Sequence, residues 1–425
     1  MLAGFGKSDI TPPVGTNLTG YLARLGPAIG VRDHLFCRAL VVGQGSDQAA
    51  LLVADTLGFG IAYTEQVKAA VAATTGIAPE RVILAATHTH AGPASVYLQG
   101  CGDLALDWLE GFPAKAVAAV RAAQSDLSET DLRFGTVPVP GIAINRRDPQ
   151  SGPLDEELSV LWFQGRDGRP RGAMLHFTCH AVVMDGDNRL ISAEYPGAAC
   201  RQLEDLTGAP AMFLQGPCGD INPAQRHSFA HVDGAGAKLA EAAAELMRQG
   251  GTAVEAAVPQ VETQTLDLPL VAPPAYGEIL AFRREHQSGA FAADAAHDIM
   301  RAKMHRAMVT WADLTIGGVC SGLLQGGLTV ASQCLRLGDV LLLTSPGELF
   351  VEFGLEAKRR ARSQGKQAFV VAYTNADIGY IPTAESYAKG GYEVDSAYRY
   401  YGYPGPLAPE AGKRVAAALA RFIDG

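Results

Sequence analysis

Val82-Ile83-Leu84-Ala85-Ala86-Thr87-His88-Thr89-His90-Ala91-Gly92-Pro93 joins an apolar run of strand length to a turn, with two imidazoles at the junction. Five apolar residues in a row, closed by a Gly-Pro signal, predict a buried strand that ends near Thr87. Three later segments repeat the layout. His180 follows Ala173-Met174-Leu175-His176-Phe177, Glu348 follows Val340-Leu341-Leu342-Leu343, and Tyr380 follows Ala368-Phe369-Val370-Val371-Ala372. Ligands of α/β proteins gather outside the carboxyl ends of strands. Four donor side chains beyond four such ends point to one shared site.

Strand-like and helix-like runs alternate around these segments. Ala39–Val42 and Ala50–Ala54 predict neighbouring strands, Ser159–Phe163 and Ala173–Thr178 a strand pair about the turn at 166–170, and Ala211–Leu214 another strand. Helical composition marks Thr64–Ala73, Lys115–Gln124 after Gly111-Phe112-Pro113, Pro196–Leu206, Gly236–Met247 and Pro409–Ile423. Residues 272–311 differ in character: Arg283, Arg284, Arg301, Lys303 and Arg306 stand among alanines and histidines behind Pro273-Pro274. They predict a helical insertion, read as a lid, an oligomer contact or a plain pair of surface helices. The expected fold is α/β, a mixed β-sheet with flanking helices, built as one domain over residues 1–425 with that insertion.

Composition narrows the partners. The chain of 425 residues is 48% hydrophobic and 19% charged, with a formal net charge of −9. That sign argues against nucleic acid or an anionic membrane surface. No basic start leads into an apolar signal core, and no apolar run is long enough to span a bilayer. The expectation is a cytoplasmic protein with a small-molecule substrate, no nucleic-acid or membrane partner, and a homo-oligomer left open by the insertion. Seven cysteines (Cys37, Cys101, Cys179, Cys200, Cys218, Cys320 and Cys334) include no Cys-x-x-Cys pair. They read as reduced thiols packed as small apolar residues. Cys179 and Cys218 lie beside suspected site residues, where a ligand or nucleophile role stands next to simple packing.

Each candidate also has a plainer reading. His88 and His90 are ligands or a catalytic pair, or they cap a loop by hydrogen bonding. His180 is a ligand or a satisfied core histidine. Glu348 is a ligand or an acidic residue opening the helix that follows, and Tyr380 is an ordinary strand-end tyrosine or a functional one. Asp220 and Asp377 orient ligands or take backbone amides in loops. Arg147 reads as a solvated arginine, and Asp9 as a turn residue.

The order and wording of several segments resemble the catalytic domain of the neutral/alkaline non-lysosomal ceramidase family. The carriers are Thr87-His88-Thr89-His90-Ala91-Gly92-Pro93, Ile144-Asn145-Arg146, His180 with Met184, Gly219-Asp220-Ile221-Asn222-Pro223, Pro346-Gly347-Glu348 and Gly379-Tyr380-Ile381-Pro382-Thr383, followed by Glu385, Tyr387 and Tyr392-Glu393. The resemblance implies one Zn²⁺ held by His88, His180, Glu348 and Tyr380. It places the general base at His90 and the groups that position and polarise the substrate carbonyl at Arg146 and Tyr392. Where the family carries serine in Gly-Asp-Val-Ser-Pro, this chain has Asn222, which donates a hydrogen bond to substrate or merely forms a turn before Pro223. The chain also ends where the family continues into an immunoglobulin-like domain.

The chemistry of those residue types agrees with the resemblance. Imidazoles and a carboxylate suit Zn²⁺, which takes nitrogen and oxygen donors at about 2.0–2.2 Å; Mn²⁺ and Fe²⁺ are the alternatives. A phenol with a free pKa near ~10 is a weak, displaceable ligand or a phenolate. The resulting expectation is a zinc-dependent hydrolase that uses metal-activated water on a carbon–nitrogen bond of a small soluble amide. An esterase or lactonase with the same centre is one alternative. A catalytically silent, metal-dependent binding protein is the other.

Overall fold

The strand Val82–Ala86 forms and pairs in parallel with Ala49–Ala54, which pairs antiparallel with Phe36–Val42. These belong to a nine-stranded mixed sheet in the computed structural model, which describes residues 1–255 and 258–425. At the far edge, Ala211–Gln215 runs parallel to Pro170–Phe177, itself antiparallel to Glu157–Gly165. A second sheet of four strands combines Gln260–Pro269, Gly327–Leu337, Val340–Thr344 and Gln367–Val371. Its last two strands are parallel.

Side-chain alternation sorts these strands into layers. Leu51, Val53, Ile83 and Ala85 face Leu335, Val340, Leu342 and Phe369, so the two sheets pack against each other. Ala50, Leu52, Val82 and Leu84 point the other way, towards the helices α1 (Ile61–Thr75) and α2 (Leu106–Ser125). Helices α3 (Glu194–Thr207) and α4 (Phe229–Gln249) cover the other half of that face. On the outer face of the small sheet lie α7 (Val351–Ser363), beyond the helical insertion, and the C-terminal helix Pro409–Asp424. The expected mixed sheet with flanking helices is present, and it carries a second sheet on its inner face. That stacking gives the strands apolar residues on both sides, which is why they lack the alternation of a half-solvated strand.

Several helices run longer than composition predicts. The largest difference is at α2, which begins at Leu106 and takes Pro113 into its interior. A proline there cannot donate to the carbonyl four residues back. The Tyr63 hydroxyl of α1 donates to that Leu109 carbonyl instead, at 2.6 Å, so the polar group is satisfied and the helix continues. The insertion predicted at 272–311 is a pair of helices, α5 (Tyr276–Ala295) and α6 (Ile299–Ser321). It extends past 311 because Trp311, Ala312 and Thr315 bury the inner side of α6. The pair sits inside a β-hairpin whose last partners are Pro269 and Gly327. No described helix is long and apolar enough to cross a membrane.

Two glycines let α2 lie directly on the first strand, Leu2–Asp9. A Cβ at Gly4 would meet the Ala123 carbonyl at 2.1 Å, and one at Gly6 the Ala119 carbonyl at 2.2 Å. Backbone atoms cannot rotate away as a side chain would. Gly6→Val is therefore expected to destabilise the fold by at least ~1–3 kcal/mol, read as a lower urea midpoint. An unchanged midpoint would show that α2 is free to shift.

Candidate active site

The two sheets are stitched together where their parallel strands end. Ala86 N–H donates to the Tyr373 carbonyl at 3.2 Å, Asn375 N–H to the Leu84 carbonyl at 2.7 Å, and Ala372 N–H to the Gln215 carbonyl at 2.9 Å. The segments that follow four strands are thereby turned towards one point, where they deliver His88, His180, Glu348 and Tyr380.

Backbone carbonyls set the direction of each imidazole. His88 adopts a left-handed backbone conformation (φ 60°), uncommon for a residue with a Cβ, and its Nδ1 lies 2.8 Å from the Leu57 carbonyl. The His180 Nδ1 is held by the carbonyls of Cys218 and Ile221. That of His90 lies 3.1 Å from the Gly20 carbonyl. A carbonyl only accepts, so each Nδ1 carries a proton, and a neutral ring then presents its Nε2 lone pair to the centre. The ligand atoms of His88, His90 and His180 lie within 4.8 Å of one another. Those of His90 and His88 are 3.2 Å apart.

Glu348 completes the set. Its Oε2 is 3.0 Å from His180 Nε2 and 3.5 Å from His88 Nε2. Burial pushes the His180 pKa down to about 4 and that of His90 well below the ordinary histidine value, so both are neutral at pH 7. Three lone pairs and a carboxylate thus face one another with no proton to share. This donor set fits a divalent cation such as zinc.

Tyr380 stands opposite Glu348 in a short parallel ladder that also pairs Leu349 with Ile381. The Arg146 guanidinium lies over the Tyr380 ring at 5.3 Å, and the Tyr392 ring is 5.7 Å away. Arg146 donates through Nε to Glu393 at 2.9 Å and through Nη1 to the Asn222 Oδ1 at 3.4 Å, while its Nη2 is buried without a partner. Asn222 reaches Arg146 because the ladder Ala143–Asn145/Ile221–Pro223 sets the two segments side by side. Tyr392 is 49% exposed and stands at the mouth. His88, His90, Glu348, Tyr380 and Tyr392 line a cavity of about 330 Å³. Arg146 and Tyr392 also border a neighbouring polar recess of about 730 Å³.

Other expectations change. Arg147 is not a solvated arginine: it donates to the buried Glu393 and to the Gly390 carbonyl, because the loop at 390–393 folds over it. Asp220 orients no ligand; it accepts from the Val351 N–H and the Asn145 amide, both at 2.9 Å, and so fastens its loop. Asp9 accepts from the Thr11 N–H in a turn, as expected. Cys179 and Cys218 are fully buried, and burial raises both thiols, which leaves them neutral packing groups.

Two tyrosines support the centre without any motif to announce them. The Tyr373 ring stacks on His88 with centroids 3.8 Å apart, and its hydroxyl meets the Cys218 sulfur at 3.1 Å. The Tyr401 hydroxyl donates to Glu348 Oε1 at 2.7 Å and reaches Asp377 Oδ1 at 3.3 Å. Asp377 also accepts from the Gly379 N–H, and burial pushes it up to about 7. The available signal was the tyrosine-rich run Tyr398-Arg399-Tyr400-Tyr401-Gly402-Tyr403 near the end of the chain.

The profile described as neutral/alkaline non-lysosomal ceramidase, N-terminal, matches residues 1–252. The chain belongs to that family. It is 27% identical over 247 residues to the neutral ceramidase of Pseudomonas aeruginosa, covering 52% of this chain and 36% of that protein. With the neutral ceramidase of Drosophila melanogaster the identity is 26% over 251 residues, again 52% and 36%. The matched part is thus little more than a third of these relatives' length. The solved P. aeruginosa neutral ceramidase shares the fold with a TM-score of 0.74 and 21% identity, covering 100% of this chain and 74% of that one. His88, His90, Arg146, His180 and Asn222 fall inside the matched residues, and Glu348, Tyr380 and Tyr392 beyond them.

Removing the Tyr401 hydroxyl releases one oxygen of Glu348. Tyr401→Phe is expected to lower zinc affinity about 10–100-fold, measured by competition with a chelator. Affinity equal to that of the unchanged protein would deny Tyr401 any part in holding the carboxylate.

Proposed function

We propose that the protein is a zinc-dependent hydrolase that cleaves the amide bond of a small substrate by direct attack of water. The observation that carries this reading is the convergence of three imidazole lone pairs and one carboxylate, buried beside an arginine with an unpartnered N–H group. In it, His88, His180, Glu348 and Tyr380 hold the ion and His90 is left for proton transfer. Zinc bound there supplies Lewis acidity to the scissile carbonyl and to the attacking water.

The protein's own groups account for the rest. His90 is neutral and its Nε2 faces the centre, so it accepts the proton of the attacking water and returns it to the leaving nitrogen. Arg146 Nη2 is buried without an acceptor, and the charge that develops on the substrate oxygen supplies one. The Tyr392 hydroxyl is the second donor to that oxygen. Such donors are worth ~3–4 kcal/mol each in the transition state. Asn222 holds Arg146 through its carbonyl and keeps its NH₂ for the substrate. An amide side chain is no nucleophile, so no acyl-enzyme forms on it. A protein that only bound substrate or metal would have no use for His90, Arg146 and Tyr392 together.

His180→Ala is expected to lose both bound zinc and amide turnover while its circular dichroism spectrum stays unchanged. Arg146→Ala should keep zinc yet lower kcat about 10²–10³-fold. Full activity in the His180 variant would remove the metal from the mechanism.

A further inference from the structure

The helical insertion supplies one wall of the reaction cavity. Met300, in the first turn of α6, lines it together with Leu22, Leu57, Leu98 and Tyr400. This wall is pinned from two sides. The Lys303 ammonium donates to the Arg24 carbonyl at 2.8 Å, and the buried Arg24 guanidinium donates to the His90 carbonyl at 2.6 Å. On the other side the Trp311 indole N–H donates to the Tyr403 carbonyl at 2.7 Å. The Arg399 guanidinium lies 4.9, 5.1 and 5.0 Å from the rings of Phe282, Trp311 and Tyr398. The segment 398–403 therefore holds the insertion and also delivers Tyr400 and Tyr401 to the cavity. Met300 is thus held by contacts on two sides.

We infer that Met300 limits the length of the acyl chain that the cavity takes, and that the substrate is an N-acyl amide with a hydrocarbon acyl group. The inference rests on the hydrolase reading above and adds the substrate class. Met300, Leu22, Leu57 and Leu98 are apolar, so the chain that meets them is a hydrocarbon one. Each methylene that fits raises kcat/KM about fourfold through burial, and each one too many meets Met300.

The test uses the zinc-loaded full chain with N-acylethanolamines from acetyl to palmitoyl, with ethyl esters of the same acids alongside. Binding of n-alkyl hydroxamates of the same lengths, measured by calorimetry, gives a second profile that needs no turnover. The expected kcat/KM climbs to an optimum chain length and falls beyond it, and hydroxamate affinity follows. Met300→Ala moves both profiles roughly two carbons longer, and Met300→Trp moves them shorter. A palmitoyl optimum in the unchanged protein, or profiles identical in all three proteins, overturns the assignment of Met300. If neither amides nor esters turn over while the hydroxamate profile still shifts with residue 300, the cavity assignment stands and the hydrolase reading falls.

Discussion

Everything at the centre depends on backbone carbonyls that take the outer nitrogen of each imidazole. Leu57, Gly20, Cys218 and Ile221 offer only acceptors, and so each ring must turn its lone pair inward. A histidine free to choose its tautomer would relieve the crowding by donating to a neighbour. These three cannot, and the cluster is left with negative potential and no proton. Such an arrangement is stable when a cation fills it and costly when it is bare. The hydrogen bonds between the two sheets matter for the same reason, since they fix where those carbonyls stand.

A second constraint surrounds Arg146. Arg146 and Arg147 share the single carboxylate of Glu393, and the Glu348 carboxylate adds a second negative charge that favours the Arg146 guanidinium. Two buried arginines are tolerated there because two carboxylates balance them. The Tyr401–Glu348–Asp377 bridge acts on the other side. It occupies one oxygen of Glu348 and leaves the second facing the imidazole nitrogens.

The layered α/β fold was legible because its strands are uninterrupted apolar runs and its helices are alanine-rich. The second sheet was not, because pairing between residues far apart in the chain leaves no local trace: Val340–Thr344 looks the same whether it joins the large sheet or a small one. Proline masked the start of α2, where a tyrosine from another helix replaces the missing bond. His88, His180, Glu348 and Tyr380 were visible through their places after strands, and His90, Arg146 and Tyr392 through the family resemblance. Tyr373 and Tyr401 act through a stacked ring and one hydroxyl, which no spacing encodes. Arg147 was misread because its partner, Glu393, lies some 250 residues away and only the fold brings them together.

The insertion enters and leaves the small sheet at residues paired with each other, Pro269 and Gly327. Its two ends are therefore already adjacent without it, and a tight turn would close the same hairpin. Chain closure at such a point adds little entropy cost whatever the length of the excursion. None of His88, His180, Glu348 and Tyr380 lies on the excursion. The wall of the cavity is consequently an exchangeable module, and evolution can remodel it, lengthen it or replace it while the histidine–glutamate cluster is kept.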